Sequence, residues 1–100
     1  MKIEHDKENG IFRMVVDSVT AYVSYRIVDG GLDIRHTIVP EELGGRGIAS
    51  ALVKAAYDYA LENGYKPVAT CSYAVVWLQR YPEYNGKTGN DFVGEGTCAV

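Results

Sequence analysis

The run His36-Thr37-Ile38-Val39-Pro40-Glu41-Glu42-Leu43-Gly44-Gly45-Arg46-Gly47-Ile48-Ala49 changes period in its middle, and that change decides the fold class. On its upstream side Leu32, Ile34, His36 and Ile38 alternate with Asp33, Arg35 and Thr37, the two-residue period of a strand. Pro40 ends that strand because it has no N–H to give to a ladder. On its downstream side Ile48, Leu52, Val53, Ala56, Tyr59 and Ala60 recur at helical spacing, and Asn63-Gly64 supplies a left-handed stop. A strand, a glycine-rich loop and a helix in this order open a strand-helix-strand unit, whose crossover is normally right-handed and parallel.

Upstream, Phe12 to Val16 and Val19 to Val28 read as two further strands. In the second, Val19, Ala21, Val23, Tyr25 and Ile27 share one face. Asp29-Gly30-Gly31 tolerates positive φ and turns the chain into Leu32 to Val39. Past the helix, Lys66, Pro67 and Val68 to Cys71 form a fourth strand, Ser72 is placed to cap a second helix from Tyr73 to about Tyr81, and Pro82 stops it. The expected fold is α+β: an antiparallel three-stranded meander followed by a strand-helix-strand-helix unit. Residues 1–84 make one domain. Residues 85–100 hold four of the eleven glycines and few apolar groups, and read as a loosely ordered tail.

Composition removes several classes of function. One hundred residues support a single core. A formal charge of -3 leaves no excess of cations for a polyphosphate backbone, so nucleic acid is not an expected partner. Neither a secretory leader nor a run of about 20 apolar residues is present, so the expected setting is cytoplasmic, without a membrane. Two distant cysteines, Cys71 and Cys98, give neither a disulfide scaffold nor a Cys/His metal site; both are expected to be free thiols. Self-association into a homodimer stays open.

The chemistry is most legible in the loop. Consecutive amides at a helix N-terminus, with no Cβ in the way and the positive end of the helix dipole behind them, suit a phosphate or pyrophosphate. Arg46 is placed to add a charge-assisted contact. A tight turn that binds nothing is the plain alternative. A P-loop is excluded because Ile48, not Lys, follows Gly47. A dinucleotide fingerprint is excluded because Ser50 stands where its third glycine belongs and Thr70 and Cys71 close the next strand without an acid.

With the run quoted above, Cys71-Ser72-Tyr73 and Pro82-Glu83-Tyr84, the chain resembles the GNAT acetyltransferase superfamily, in its minimal single-domain branch, over about Gly10 to Tyr84. The superfamily signature is Gln/Arg-x-x-Gly-x-Gly/Ala between a strand and a helix. The resemblance implies acetyl-CoA as cofactor, with backbone groups near Ile38 and Val39 pairing with the pantetheine arm and amides of Gly44, Gly45, Arg46, Gly47, Ile48 and Ala49 holding the pyrophosphate. It implies an N-acetyltransferase acting on a primary amine, carried by a small molecule or a peptide. Two positions depart from the pattern: Gly44 stands where Gln or Arg is usual, and Leu78 where many members carry a tyrosine acid. A non-catalytic CoA or acyl-CoA-binding module, or an interaction domain, is therefore carried as an alternative.

Within that reading Cys71 and His36 are the candidate catalytic residues. Cys71 ends the fourth strand, where a parallel pair should part beside a thioester; as a small buried hydrophobe it would do no chemistry. His36 suits a base, directly or through water, but its register with Leu32 and Ile34 also fits a hydrogen-bonded core histidine. Tyr73, grouped with the cofactor-binding residues, and Tyr84 are candidate hydroxyl donors. Glu41 and Glu42 either attract a cationic acceptor or complement the helix dipole. Direct attack in a ternary complex is expected, since no base adjoins Cys71 in the sequence.

Overall fold

The computed structural model describes residues 2–89 of the chain. Six strands form one sheet in sequence order: β1 Ile3–Asp6, β2 Ile11–Val16, β3 Val19–Val28, β4 Gly31–Ile38, β5 Lys66–Ala69 and β6 Lys87–Thr88. The first four are antiparallel; β5 runs parallel to β4, and β6 parallel to β5. Between β4 and β5 lie a short 3-10 turn, Glu41–Leu43, and helix α1, Ile48–Glu62; helix α2, Ser72–Arg80, follows β5.

The α+β class and the meander stand as the sequence predicts, with a strand added at each end. β1 lies in a stretch read only for its charges, yet Ile3 and His5 stand opposite Met14 and Phe12 and extend the apolar face. β6 falls within the stretch expected to be a loose tail: Lys87 and Thr88 pair with Val68 and Ala69, and the Gly89 N–H reaches the Ala69 carbonyl at 2.7 Å. Residues 90–100 lie outside the described residues.

Two-residue turns set the meander's register. Asp17 and Ser18, and Asp29 and Gly30, all have positive φ, the geometry that matches strand twist in a tight hairpin. Helix α1 stops as its sequence requires: Gly64 is left-handed at φ 77, the Tyr65 N–H returns to the Ala60 carbonyl at 2.8 Å, and that of Gly64 to Leu61 at 3.4 Å, a Schellman motif.

Both helices pack on one face of the sheet. Phe12, Met14, Ala21, Val23, Leu32 and Ile34 meet Leu52, Val53, Ala56 and Tyr57 of α1 and Ala74 and Trp77 of α2 in one core. The Tyr57 hydroxyl, wholly buried, donates to the Val68 carbonyl at 2.7 Å, and Trp77 Nε1 donates to Ser50 Oγ at 2.9 Å, which ties the helices to β5 and to each other.

One irregularity changes which residues face which way. Ser24 stands opposite His36 but Tyr25 stands opposite Ile34, so Arg35 is an extra residue, a β-bulge in β4. An inserted residue reverses the alternation beyond it. Thr37, opposite Val23, is thereby turned into the core and fully buried, while His36 is exposed on the face without helices. The core-histidine reading of His36 is corrected on this ground, and so is its shared face with Leu32 and Ile34.

Candidate active site

The site is built from the end of the β4–β5 pairing. The two strands stay in register through Ile34 and Ala69, and the Ile34 carbonyl takes the N–H groups of both Thr70, at 3.0 Å, and Cys71, at 3.1 Å. Beyond that point β5 turns into α2 while β4 continues to Ile38. The strands part, and the β4–β5 pairing does not continue past Ile34 and Ala69. Backbone N–H and C=O groups where two strands part can pair with an extended amide-bearing ligand.

The glycine loop leads into this gap. Gly45 and Gly47 have φ of 76 and 74, and Gly47 is the N-cap of α1. A Cβ on either would point into open space, so glycine is required there by φ and by the free approach to the backbone, not by crowding. Helix α1 has no side-chain cap and no acid in its first turn. Its first N–H groups have no intrahelical partner and face outward at the positive end of the dipole. A groove of about 250 Å³ lies over them, lined by Val39, Leu43, Gly45, Gly47, Ser50 and Tyr73 among others.

Of the predicted cofactor residues, Val39, Gly44, Gly45, Gly47, Ile48, Ala49 and Tyr73 line this groove. Ile38, the last residue of β4, lies past the final β4–β5 pair and is not among the lining residues. Arg46 points elsewhere, with Nη1 3.9 Å from Asp17 Oδ2. Leu43 and Ser50 are additional lining residues, and nothing in their local sequence marks them out. Ser50 and Tyr73 also line a neighbouring groove of about 430 Å³ against Val76, Trp77, Arg80 and Tyr81. Burial pushes the Tyr73 hydroxyl above its ordinary pKa, partly offset by a hydrogen bond to Ser50, so it remains a proton donor at neutral pH.

Cys71 caps α2 through its own backbone, in place of Ser72, and is fully buried with its sulfur 3.3 Å from the Thr37 hydroxyl. It is disulfide-bonded, and no free cysteine occurs among the described residues, which corrects the expectation of free thiols. The other cysteine, Cys98, lies outside the described residues. Leu78, where many relatives carry a tyrosine, is buried against Gly86. Tyr84 is turned away from the gap and donates to Asp58 at 2.7 Å. Glu41 and Glu42 are exposed on the 3-10 turn before the glycine loop. No helix is long and apolar enough to cross a membrane, and no cluster of metal-ligating side chains occurs among the described residues.

Comparison with known proteins gives a consistent family. The model of the GCN5-related N-acetyl-transferase family matches residues 11–87. The chain is 35% identical to protein NATD1 of Mus musculus over 92 residues, covering 85% of this chain and 76% of the relative. It is 34% identical to NATD1 of Danio rerio over 85 residues, covering 82% and 77%. Its fold is similar to the solution NMR structure of a GCN5-like protein from Staphylococcus aureus, with a TM-score of 0.69, 33% identity, and coverage of 88% of this chain and 87% of the other.

Proposed function

The chain belongs to the GCN5-related N-acetyltransferase family, and from that membership we propose that it transfers acetyl from acetyl-CoA to a primary amine by direct attack in a ternary complex. The observation that carries this reading is the continuity of the uncapped N-terminus of α1 with the parted β4–β5 edge. The first-turn amides, with the Gly45 and Gly47 backbone, hold the pyrophosphate. The β4 edge at Ile38 and Val39 pairs with the amides of the pantetheine arm. The adenosine end lies over Trp77 and Tyr81, with Arg80 as its nearby cation.

The cosubstrate supplies an activated acetyl thioester, and the chain supplies position and proton transfer. The amine must be neutral to attack, and its proton passes to His36 on the open face, directly or through water. As the new C–N bond forms and the C–S bond breaks, the departing thiolate takes a proton from the Tyr73 hydroxyl. Cys71, tied in a disulfide, has no thiolate to offer and takes no acetyl group. The same disulfide and Leu78 favour the second reading, a module that binds CoA without turnover.

A thermal-shift titration with acetyl-CoA, followed by an assay for free CoA thiol with amine panels, tests both. At a ligand concentration of a hundred times Kd, stabilisation of about 2.7 kcal/mol is expected. No shift sinks both readings. A shift with no thiol release for any amine leaves the binding module.

A further inference from the structure

The open face of the sheet carries a second cavity, outside the cofactor groove, whose charge is set by a row across four strands. Arg26 of β3 stands opposite Asp33 of β4, Asp33 opposite Val68 of β5, and Val68 opposite Lys87 of β6. Cross-strand partners put their side chains on the same face. One step along, Val28, Gly31 and Lys66 form the next row, and Gly31 leaves the floor open where any side chain would strike Val68. The half-open cavity so lined has a volume of about 190 Å³, room for a small molecule.

Its internal carboxylate is already matched. Asp33, nearly buried, takes the Thr70 hydroxyl at 2.9 and 3.0 Å and Arg35 Nη1 at 3.2 Å. Setting that pair aside, the described residues of the lining hold three cations, Arg26, Lys66 and Lys87, against one carboxylate, Asp29. None of the three makes a salt bridge among the described residues. Among the described residues the excess is two positive charges, in a chain whose overall charge is -3. This local sign opposes the cationic acceptor that Glu41 and Glu42 suggest in the sequence.

The cavity also ends in the right place. The Asp33–Val68 row is one residue before Ile34 and Ala69, the last pair before the strands part. Strands advance about 3.3 Å per residue, so a ligand seated between Arg26 and Lys87 extends an amine to the gap within the length of one small molecule. His36 is exposed on this same face, just past the Arg35 bulge.

We propose that this cavity is the acceptor subsite and that it selects a small amine bearing two carboxylates, an amino dicarboxylic acid, held by Arg26, Lys66 and Lys87. The proposal rests on the acetyl-transfer reading for its catalytic meaning, but the binding site stands or falls separately. Guanidinium and ammonium groups hold carboxylates through charge-assisted bonds that salt weakens. A neutral amine with two carboxylates carries the charge that the lining balances.

The test uses the full chain with CoA present and free glutamate as probe, followed by calorimetry and by amide chemical shifts. Shifts centred on Gly31, Lys66, Val68 and Lys87, with affinity weakened at least tenfold in Lys87→Gln and in Arg26→Gln and shifts absent with the diamide of the same amino acid, which lacks both carboxylates, are the expected result. Retained acetyl-CoA binding by both variants shows that they fold. In the transfer assay the same substitutions raise KM for glutamate and leave the Kd of acetyl-CoA unchanged. Equal binding of glutamate and its diamide, no shifts at this cavity, or preferred acetylation of a polyamine overturns the proposal while leaving acetyl transfer intact. Glutamate binding here without thiol release retains the site and removes the enzymatic reading.

Discussion

The Thr37 hydroxyl on β4 and the Cys71 sulfur at the N-cap of α2 lie 3.3 Å apart, both fully buried, just past the last β4–β5 pair. The contact exists because the bulge at Arg35 turns Thr37 inward, where simple alternation would point it out. It places the disulfide-bonded cysteine beneath the floor of the gap, as part of the packing. The substitution Cys71→Ala is therefore expected to lower melting temperature and reduce acetyl transfer without abolishing it. Incubation with acetyl-CoA alone should leave no acetyl adduct by mass spectrometry. An acetyl-Cys71 that forms and decays at the turnover rate, with complete loss of activity in the variant, would make the residue a nucleophile.

Gly47 offers a sharper probe of the proposed acetyl-CoA groove. A side chain there meets no atom within 4 Å, so the cost of Gly47→Val to the fold is that of holding a β-branched residue at φ 74, about 1–3 kcal/mol. The domain should still fold, while acetyl-CoA affinity falls at least tenfold if the branch stands in the proposed pyrophosphate site. Calorimetry that finds a folded variant with unchanged affinity would move the pyrophosphate elsewhere.

Tyr57 tests the packing that holds the two helices to β5. Its hydroxyl is the donor for the Val68 carbonyl in a region closed to water, and burial pushes its pKa well above the ordinary phenol value. Tyr57→Phe keeps the ring but leaves that carbonyl without this donor, a loss of about 1–3 kcal/mol. At about 4–8 °C per kcal/mol for a domain of this size, the melting temperature should drop by several degrees. A change under one degree would show that the bond contributes nothing net.

His5 gives the fold a pH dependence of known sign. Its ring stacks on Phe12 with centroids 3.9 Å apart, meets Tyr59 edge-on at 4.5 Å, and stands 2.6 Å from the Tyr25 hydroxyl. Burial first, and Lys7 second, lower its pKa below 6.5, with Asp6 opposing. A group whose folded pKa is depressed binds protons more tightly when unfolded, so its contribution is complete above 6.5 and is lost as pH falls through the lower folded value. Denaturant unfolding should show stability declining between pH 7 and pH 5, and the His5→Phe protein should show a flatter profile across that window. Equal slopes in the two proteins would assign the decline to other groups.

Much of this molecule was legible without coordinates because it depends on neighbours in the chain. The hairpin at Asp29-Gly30, the Schellman stop at Asn63-Gly64, the helical stripe from Ile48 to Ala60 and the glycine loop are set by local φ preferences and by apolar spacing. The groove over the start of α1 follows from them, since a helix start and its loop come as one piece. What the sequence left open is what one strand imposes on another. Nothing in Leu32-Asp33-Ile34-Arg35-His36-Thr37 announces that Arg35 is the extra residue, because a bulge is defined only against the partner strand β3. That one residue sends His36 to the open face and Thr37 to Cys71. The same holds for Arg26, Asp33, Val68 and Lys87, which stand 61 residues apart from first to last by numbering and become one row only through three successive pairings. Charge patterns along a chain report its neighbours in sequence; a sheet sums charges across strands, and only the tertiary structure performs that sum.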